Sequence, residues 1–167
     1  MLIKAQDLKD IQENKVTLVK NFVSLERNYD FNLISKLMEE NHLTIVPMFP
    51  VGNLRDVFQM GNITNILKEF KILFDFLAKL FKYQLTKNDG IDLFFSFVSQ
   101  IGNAHEDIED VYIIGLHGKT IYRVFDEDNK DYEINKGDLI FIPKGKKHKA
   151  IAINSRIIAS IGFHGKR

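Results

Sequence analysis

The sequence predicts an α+β protein that is mainly β, with helices before about residue 90 and an antiparallel sandwich or small barrel after it. Apolar residues at three- and four-residue steps mark the helical part. Beyond it, short apolar runs are separated by Gly, Asn and Asp, which is typical of antiparallel strands. A chain of 167 residues is long enough for one hydrophobic core and too short for two. We therefore expect a single domain over residues 1–167, with a helical part over 1–90 and a β core over about 91–164.

Three helices are expected in the N-terminal part, over residues 5–14, 31–40 and 64–85. Asp30 is placed to cap the second helix and Asn62 or Thr64 the third, since short polar side chains accept hydrogen bonds from the first free amides of a helix. The third helix carries a broad stripe of Phe and Leu. We expect this stripe to pack on the sheet. The alternative is a homodimer through helix 64–85, because exposed Phe rings are costly.

Extended segments are expected in both halves of the chain. Two of them lie between the helices, at 15–23 and 44–50, and the two prolines of the second confine it to an edge strand or an extended loop. The others build the β core, and they cover residues 93–99, 110–114, 119–125, 130–134, 138–142, 150–153 and 156–163.

Composition and charge narrow the classes of function and location. The formal net charge is +1, which gives no overall electrostatic reason to bind nucleic acid. The chain has no cysteine, so disulfides, thiolate metal sites and cysteine nucleophiles are excluded. No export signal is seen at the N-terminus, and charged residues interrupt the most apolar stretch, 66–85. We expect a cytoplasmic protein with no membrane partner.

Two histidines and one aspartate form a candidate metal site. Residues i and i+2 of an extended strand point to the same face, roughly 6.6 Å apart, so His105 and Asp107 are placed to bind one ion. His148 follows a turn, a buried strand and a second turn, which return the chain towards the first pair. Two nitrogens and one oxygen favour a six-coordinate iron or manganese with open positions over a closed structural zinc site, although zinc, manganese or nickel can occupy the same ligands.

Three segments resemble one known family, the JmjC-type branch of the cupins, which are Fe(II)- and 2-oxoglutarate-dependent oxygenases. Residues 105–124 are similar to the family's His-x-Asp strand, followed by a Gly-Lys turn and an aromatic residue. Residues 137–148 resemble its second metal motif, and 160–163 its closing strand. The resemblance implies a double-stranded β-helix (cupin or jelly-roll) barrel with N-terminal and flanking helices, in which the three candidate ligands bind Fe(II).

The resemblance favours the oxygenase branch over the four-ligand cupins, because Val111 stands where those carry a glutamate ligand. It implies oxidative decarboxylation of 2-oxoglutarate to succinate, coupled to hydroxylation of a protein or small-molecule substrate. The family usually places Lys or Arg fifteen residues after the first metal histidine, to pair with the distal carboxylate of 2-oxoglutarate. Here that position is Thr120, beside Lys119. The candidate cosubstrate-binding residues are Thr120, Lys119, Ser96 and Tyr122, or another basic residue.

Two other functions stay open at this point. Thr120 offers no countercharge, which favours a metal-binding cupin that acts without 2-oxoglutarate as a dioxygenase, an isomerase or a small-molecule sensor. The second alternative is a degenerate cupin that serves as a binding module. Of the remaining polar residues, Glu106, Glu109 and Asp110 are expected to serve surface solubility, and His117 to lie in an exposed turn.

Overall fold

The structure is a computed structural model, and it describes residues 2–43, 45–47, 57–126, 128–165 and 167. Within these ranges the helices are α1 (Ala5–Gln12), α2 (Phe31–Asn41) and α3 (Lys68–Phe81). The strands are β1 (Thr17–Val19), β2 (Ile45–Pro47), β3 (Val57–Met60), β4 (Gly90–Ser96), β5 (Gln100–Ile101), β6 (Asp110–His117), β7 (Thr120–Val124), β8 (Asp131–Ile134), β9 (Leu139–Ile142), β10 (His148–Ala152) and β11 (Arg156–Phe163). No helix in this part of the chain is both long and apolar enough to cross a membrane.

The strands form two antiparallel sheets. The major sheet has seven strands in the order β1-β9-β6-β11-β4-β3-β2, and the minor sheet has four in the order β5-β10-β7-β8. Side chains of both sheets meet in one apolar cluster, which includes Val111 and Ile113 of β6, Val124 of β7 and Ile134 of β8. The two sheets therefore face each other as a jelly-roll barrel, the double-stranded β-helix. The expected fold class, mainly β with flanking helices, is confirmed.

The major sheet is covered on both faces. Alternate residues of a strand point to opposite faces, and in β6 Val111 and Ile113 point to the minor sheet, whereas Tyr112 and Ile114 join a second apolar cluster with the helices. A strand that is buried on both faces is apolar throughout. This explains why all four residues of β9 are large, apolar and buried. The helices and the minor sheet thus lie on opposite sides of the major sheet.

The apolar stripe of α3 packs on the outer face of the major sheet. The ring of Phe74 stacks on Phe163 of β11 with 5.1 Å between centroids, and that of Phe81 stacks on Tyr112 of β6 with 5.5 Å. The expected packing of this helix on the sheet is confirmed. Packing within one copy of the chain already shields these rings from water. A homodimer through residues 64–85 stays a prediction.

The predicted caps are right for one helix and wrong for another. The Asp30 side chain accepts a hydrogen bond from the amide of Leu33 at 3.0 Å and begins α2, as expected. The third helix begins only at Lys68, and its N-cap, Leu67, makes no side-chain cap bond. Thr64 instead uses its hydroxyl to accept the amide of Ile91 at 2.9 Å. The polar side chain that a sequence pattern assigns to the helix is therefore engaged by the neighbouring strand.

The N-terminal part supplies strands to the major sheet as well as helices. β1 is shorter than the expected strand 15–23, and β2 lies at the edge of the sheet, as its proline requires. Residues 44 and 48–50 of the second expected segment lie outside the described residues. All seven expected core strands are present with shifted ends, whereas β3 and β5 were not expected.

A buried carboxylate joins β1 to the start of β9. The side chain of Asp138 accepts hydrogen bonds from the Lys20 ammonium at 2.7 Å, the Asn21 amide at 2.9 Å and the Asn135 amide at 3.0 Å. Burial alone would raise the pKa of Asp138, but these three bonds outweigh it and hold the pKa below its usual range. Asp138 therefore stabilises the fold as an anion.

We expect Asp138→Asn to lower the free energy of unfolding by about 2 kcal/mol at pH 7, because one buried amide or ammonium donor loses its acceptor. Because the pKa of Asp138 is lower in the folded than in the unfolded state, this stabilisation is fully present above the unfolded pKa of about 3.9. It is lost as the pH falls through the folded pKa. Urea unfolding at pH 7 and pH 3 measures the loss of unfolding free energy and its dependence on pH. Asp131→Asn, which breaks an exposed ion pair with Arg123, is the matched control with little expected change. The ionic role of Asp138 is contradicted if Asp138→Asn and the wild type differ in unfolding free energy as much at pH 3 as at pH 7.

Candidate metal centre

The structure brings the three expected ligand residues together. Ligand atoms of His105, Asp107 and His148 all lie within 4.8 Å of one another. The Nε2 atoms of His105 and His148 lie 3.6 Å and 3.5 Å from different carboxylate oxygens of Asp107. Metal–ligand distances for nitrogen and oxygen are about 2.0–2.2 Å. Small side-chain shifts therefore allow one ion to contact all three residues.

Backbone hydrogen bonds fix the two histidines opposite each other. The amide of each donates to the carbonyl of the other, and both N–O distances are 2.9 Å. His148 is the first residue of β10, but His105 forms only an isolated bridge and lies in no strand. The expectation that His105 and Asp107 share one extended strand is therefore wrong. Asp107 is held instead by the amide of Gly145, which donates to its backbone carbonyl at 2.8 Å.

The ring orientation of both histidines leaves Nε2 free to bind a metal. Nδ1 of His105 lies 3.0 Å from the carbonyl of Asn103, and Nδ1 of His148 lies 2.8 Å from the carbonyl of Lys146. A carbonyl only accepts hydrogen bonds, so Nδ1 must carry the proton and donate it. The lone pair of each neutral ring is then on Nε2, which faces Asp107. Such a carbonyl partner is the usual support of a metal-binding histidine.

The three side chains differ in their exposure to solvent. The side chain of His148 is 2% exposed, that of Asp107 24% and that of His105 55%. Burial lowers the pKa of His148, and the neighbouring His105 lowers it further, against the opposite effects of the Lys146 carbonyl and Asp107. A lowered pKa keeps the imidazole neutral at pH 7, which is the form that binds metals.

A cavity of about 550 Å³ runs from these residues between the two sheets. His105, Asp107 and His148 lie at one part of its wall, and Tyr122 and Arg156 also line it. Volumes of this size are typical of small-molecule sites. A ligand in this cavity can thus contact the candidate metal centre and Arg156 at once.

Arg156 is a buried cation whose hydrogen bonds to the described residues include no countercharge. The residue is 5% exposed, and its Nη1 donates to the hydroxyl of Thr120 at 3.3 Å. Its Nε has no hydrogen-bond partner among the described residues. A buried charge is costly unless it is paired. The arrangement is therefore suited to an anionic ligand.

Two of the expected cosubstrate-binding residues surround this guanidinium. Ser96 is directly opposite Arg156 in the pairing of β4 with β11, and its fully buried hydroxyl also has no partner among the described residues. Tyr122 is buried next to them. Burial raises its pKa, and the positive charge of Arg156 opposes the rise. Tyr122 and Arg156 line the cavity, and the buried side chains of Ser96 and Thr120 lie beside Arg156.

The structure does not bring Lys119 to the cavity. Its ammonium pairs with Glu133 at 3.1 Å, and its side chain is 40% exposed. Thr120 and Lys119 are neighbours, so strand alternation directs one of them inward and the other outward. Thr120 takes the buried position, at 1% exposure.

Arg156 was not named from the sequence. It stands on the inward face of β11, two residues before Ile158 and four before Ser160, which also line the cavity. A charged residue in phase with the inward face of a strand is the signal that points to it.

Two polar residues lie in surroundings that differ from those expected. Asp110 is 8% exposed and accepts three donors, so its expected role in surface solubility is wrong. His117 is not in an exposed turn. It is the half-buried last residue of β6, and its ring packs edge-on against Phe31 at 5.9 Å.

No protein-family model and no curated protein sequence matches this chain. Solved structures of the Escherichia coli ribosomal oxygenase YcfD do match it. YcfD in complex with cobalt and 2-oxoglutarate aligns over 96% of this chain and 52% of its own, with a TM-score of 0.68 and 20% identity. Its complex with cobalt and succinic acid aligns over 92% of this chain and 49% of its own, with a TM-score of 0.65 and 20% identity. A further X-ray structure of the same protein aligns over 100% and 54%, with a TM-score of 0.70 and 18% identity.

This chain spans about half the length of the YcfD chains that it matches. At these identities the likeness concerns the fold. The chain shares the fold of YcfD, and its two facing sheets form the double-stranded β-helix that the resemblance of its motifs implied.

Proposed function

We propose that this protein is an Fe(II)- and 2-oxoglutarate-dependent oxygenase that hydroxylates a bound substrate. One observation carries the proposal: a facial set of two histidines and one aspartate lines the same cavity as a buried guanidinium whose Nε has no hydrogen-bond partner among the described residues. The first feature suits a metal with open coordination positions. The second suits a carboxylate. A ligand that needs both is a dicarboxylic acid able to chelate a metal at one end.

In this proposal His105, Asp107 and His148 would hold the metal, as a set of three protein ligands that leaves room for others. Nitrogen and carboxylate ligands without thiolate agree with Fe(II), and the Nε2 atoms of both histidines are already directed at Asp107. Fe(II), when bound with 2-oxoglutarate, supplies the oxidative chemistry, and the protein supplies binding and orientation.

Arg156 would bind the distal carboxylate of 2-oxoglutarate, with Ser96, Thr120 and Tyr122 as further donors. Hydrogen bonds between a guanidinium and a carboxylate are charge-assisted and can be bidentate, which fixes position as well as affinity. Along the strands, Tyr122 pairs with Ala150, two residues after His148. Two residues of a strand span about 6.6 Å. A five-carbon diacid is of this order of length.

The alternative of a cupin that acts without 2-oxoglutarate depended on Thr120, which has no charge. Arg156 contacts the Thr120 hydroxyl and places a cation at the same point of the barrel wall. It therefore supports the oxygenase over the alternative. The fold agrees with this choice, because YcfD with the same fold has been solved with cobalt and 2-oxoglutarate.

We expect the protein, loaded with Fe(II) under air, to convert 2-oxoglutarate to succinate slowly even without its substrate, and NMR detects the product. His105→Ala, Asp107→Ala and His148→Ala should each lower this rate at least about a hundredfold, as removal of a metal ligand or its support costs 10- to 100-fold or more in affinity or activity. His117→Ala, a histidine outside the cavity, is the matched control and should keep the rate. A protein that binds iron but neither binds nor consumes 2-oxoglutarate would leave only the metal-binding cupin.

Arg156→Gln should weaken the binding of 2-oxoglutarate to the metal-loaded protein about tenfold to hundredfold, because a charge-assisted hydrogen bond contributes about 1.5–3 kcal/mol. The affinity for the metal itself should not change. Calorimetric titrations with Co(II), and then with 2-oxoglutarate, separate the two. Arg123→Gln removes an exposed arginine of β7 and serves as the control.

A reciprocal variant tests the position of the charge. Thr120→Arg combined with Arg156→Thr moves the guanidinium to the site that the family usually uses, and it should recover part of the affinity that Arg156→Gln loses. If Arg156→Gln binds 2-oxoglutarate as tightly as the wild type, Arg156 does not bind its distal carboxylate.

A further inference from the structure

We propose that Asp110 is a positioning residue for the metal centre, which it reaches through a turn rather than by contact with an ion. The inference rests on the proposed role of His105, Asp107 and His148 as metal ligands. Asp110 lies three residues after Asp107, at the start of β6, and is buried. Its two carboxylate oxygens have separate tasks: one holds the turn, and the other is fixed to the core.

The turn in question, 143–146, supports two of the three ligand residues. It closes with a hydrogen bond from the Lys146 amide to the Pro143 carbonyl at 3.2 Å, and Gly145 has a φ of 73°, which suits the third position of a type II turn. Its Gly145 amide donates to the carbonyl of Asp107 at 2.8 Å. Its Lys146 carbonyl accepts from Nδ1 of His148, also at 2.8 Å. A shift of the turn therefore moves Asp107 and rotates the His148 ring together.

The tip of the turn has little packing of its own to hold it, although Pro143 at its start is buried. Lys144 and Gly145 are exposed, and a Cβ atom added at Gly145 would meet nothing within 4 Å. Asp110 supplies the missing constraint, since its Oδ1 accepts the amide of Lys144 at 3.0 Å. A carboxylate acceptor makes this a charge-assisted bond, which is shorter and stronger than a neutral one.

The opposite oxygen of Asp110 is anchored from behind. Oδ2 accepts the hydroxyl of Tyr83 at 2.7 Å and pairs with the Arg167 guanidinium at 3.1 Å. Tyr83 in turn lies 3.0 Å from the hydroxyl of Tyr112. The carboxylate is therefore fixed by the core on one side and presents a fixed acceptor to the turn on the other.

Two variants cut this link in different ways. In Asp110→Asn, the Arg167 cation keeps the oxygen of the new side chain on its own side. The side-chain NH₂ group then faces the backbone N–H of Lys144, so two hydrogen-bond donors oppose each other. Lys144→Pro leaves Asp110 intact and removes the N–H together with an exposed side chain, at a turn position that proline favours. Lys144→Ala is the control, because it removes the same exposed side chain and keeps the N–H that donates to Asp110.

The measurements are the dissociation constant for Co(II) and the d–d absorption bands of the Co(II) protein, which report the ligand geometry, with Tm as the measure of folding. We expect Asp110→Asn and Lys144→Pro to weaken Co(II) binding about tenfold, in the range for outer partners of metal ligands, and to shift the bands. Lys144→Ala should leave the dissociation constant and the bands unchanged.

The inference is overturned if the wild type binds Co(II) and both variants have the same dissociation constant and the same spectrum as the wild type. A wild type that binds no Co(II) overturns the proposed function and this inference with it. The two failures are therefore distinct. Should Asp110→Asn not fold, Lys144→Pro alone decides, since it leaves the buried network in place.

Discussion

The major sheet has to be covered on both faces, and this constraint governs where the other parts of the chain lie. Its central strands carry large apolar side chains that alternate between two clusters. The helices cover one face with stacked phenylalanines, among them Phe74 on Phe163. The minor sheet covers the other face, and where its residues become polar a cavity opens instead of a packed core. The candidate site is thus the part of the barrel interior that apolar packing does not fill.

Within this interior, charge is distributed in a way that costs stability. In the described part of the chain, buried Arg156 has only a hydroxyl as its hydrogen-bond acceptor, and the Ser96 hydroxyl beside it has no partner. A fold selected for stability alone would fill both positions with apolar side chains. The buried polar groups elsewhere behave differently: Asp138 and Asp110 each accept several donors. This contrast between satisfied and unsatisfied groups supports the proposal that the cavity binds a ligand.

Much of the fold follows from the sequence because strands and helices leave a periodic record. The core strands and α2 with its Asp30 cap were predicted near their observed ends. Errors arose where a side chain had a competing partner. Thr64 has the chemistry of a cap, but its hydroxyl accepts the Ile91 amide from β4. Local pattern gives no information on which of two available partners a polar group takes.

The candidate ligands were predictable from the spacing of His105 and Asp107 and from the motif around His148, yet their geometry was not. His105 lies outside any strand and is placed by backbone bonds to His148, 43 positions away in the sequence. Arg156 and Asp110 escaped prediction for the same reason. Their roles depend on which residues lie opposite them across the barrel, and that is set by strand register rather than by neighbours in the chain.

The location of Arg156 on β11 has a mechanical consequence. His148 belongs to the minor sheet, and Arg156 to the major sheet. A ligand that contacts both is a non-covalent cross-link between the two sheets, and it binds only when the sheets are docked. By mass action such a ligand adds about RT ln(1 + [L]/Kd) to the stability of the docked state. Ligand binding in the cavity and docking of the two sheets are therefore thermodynamically linked, so that each stabilises the other.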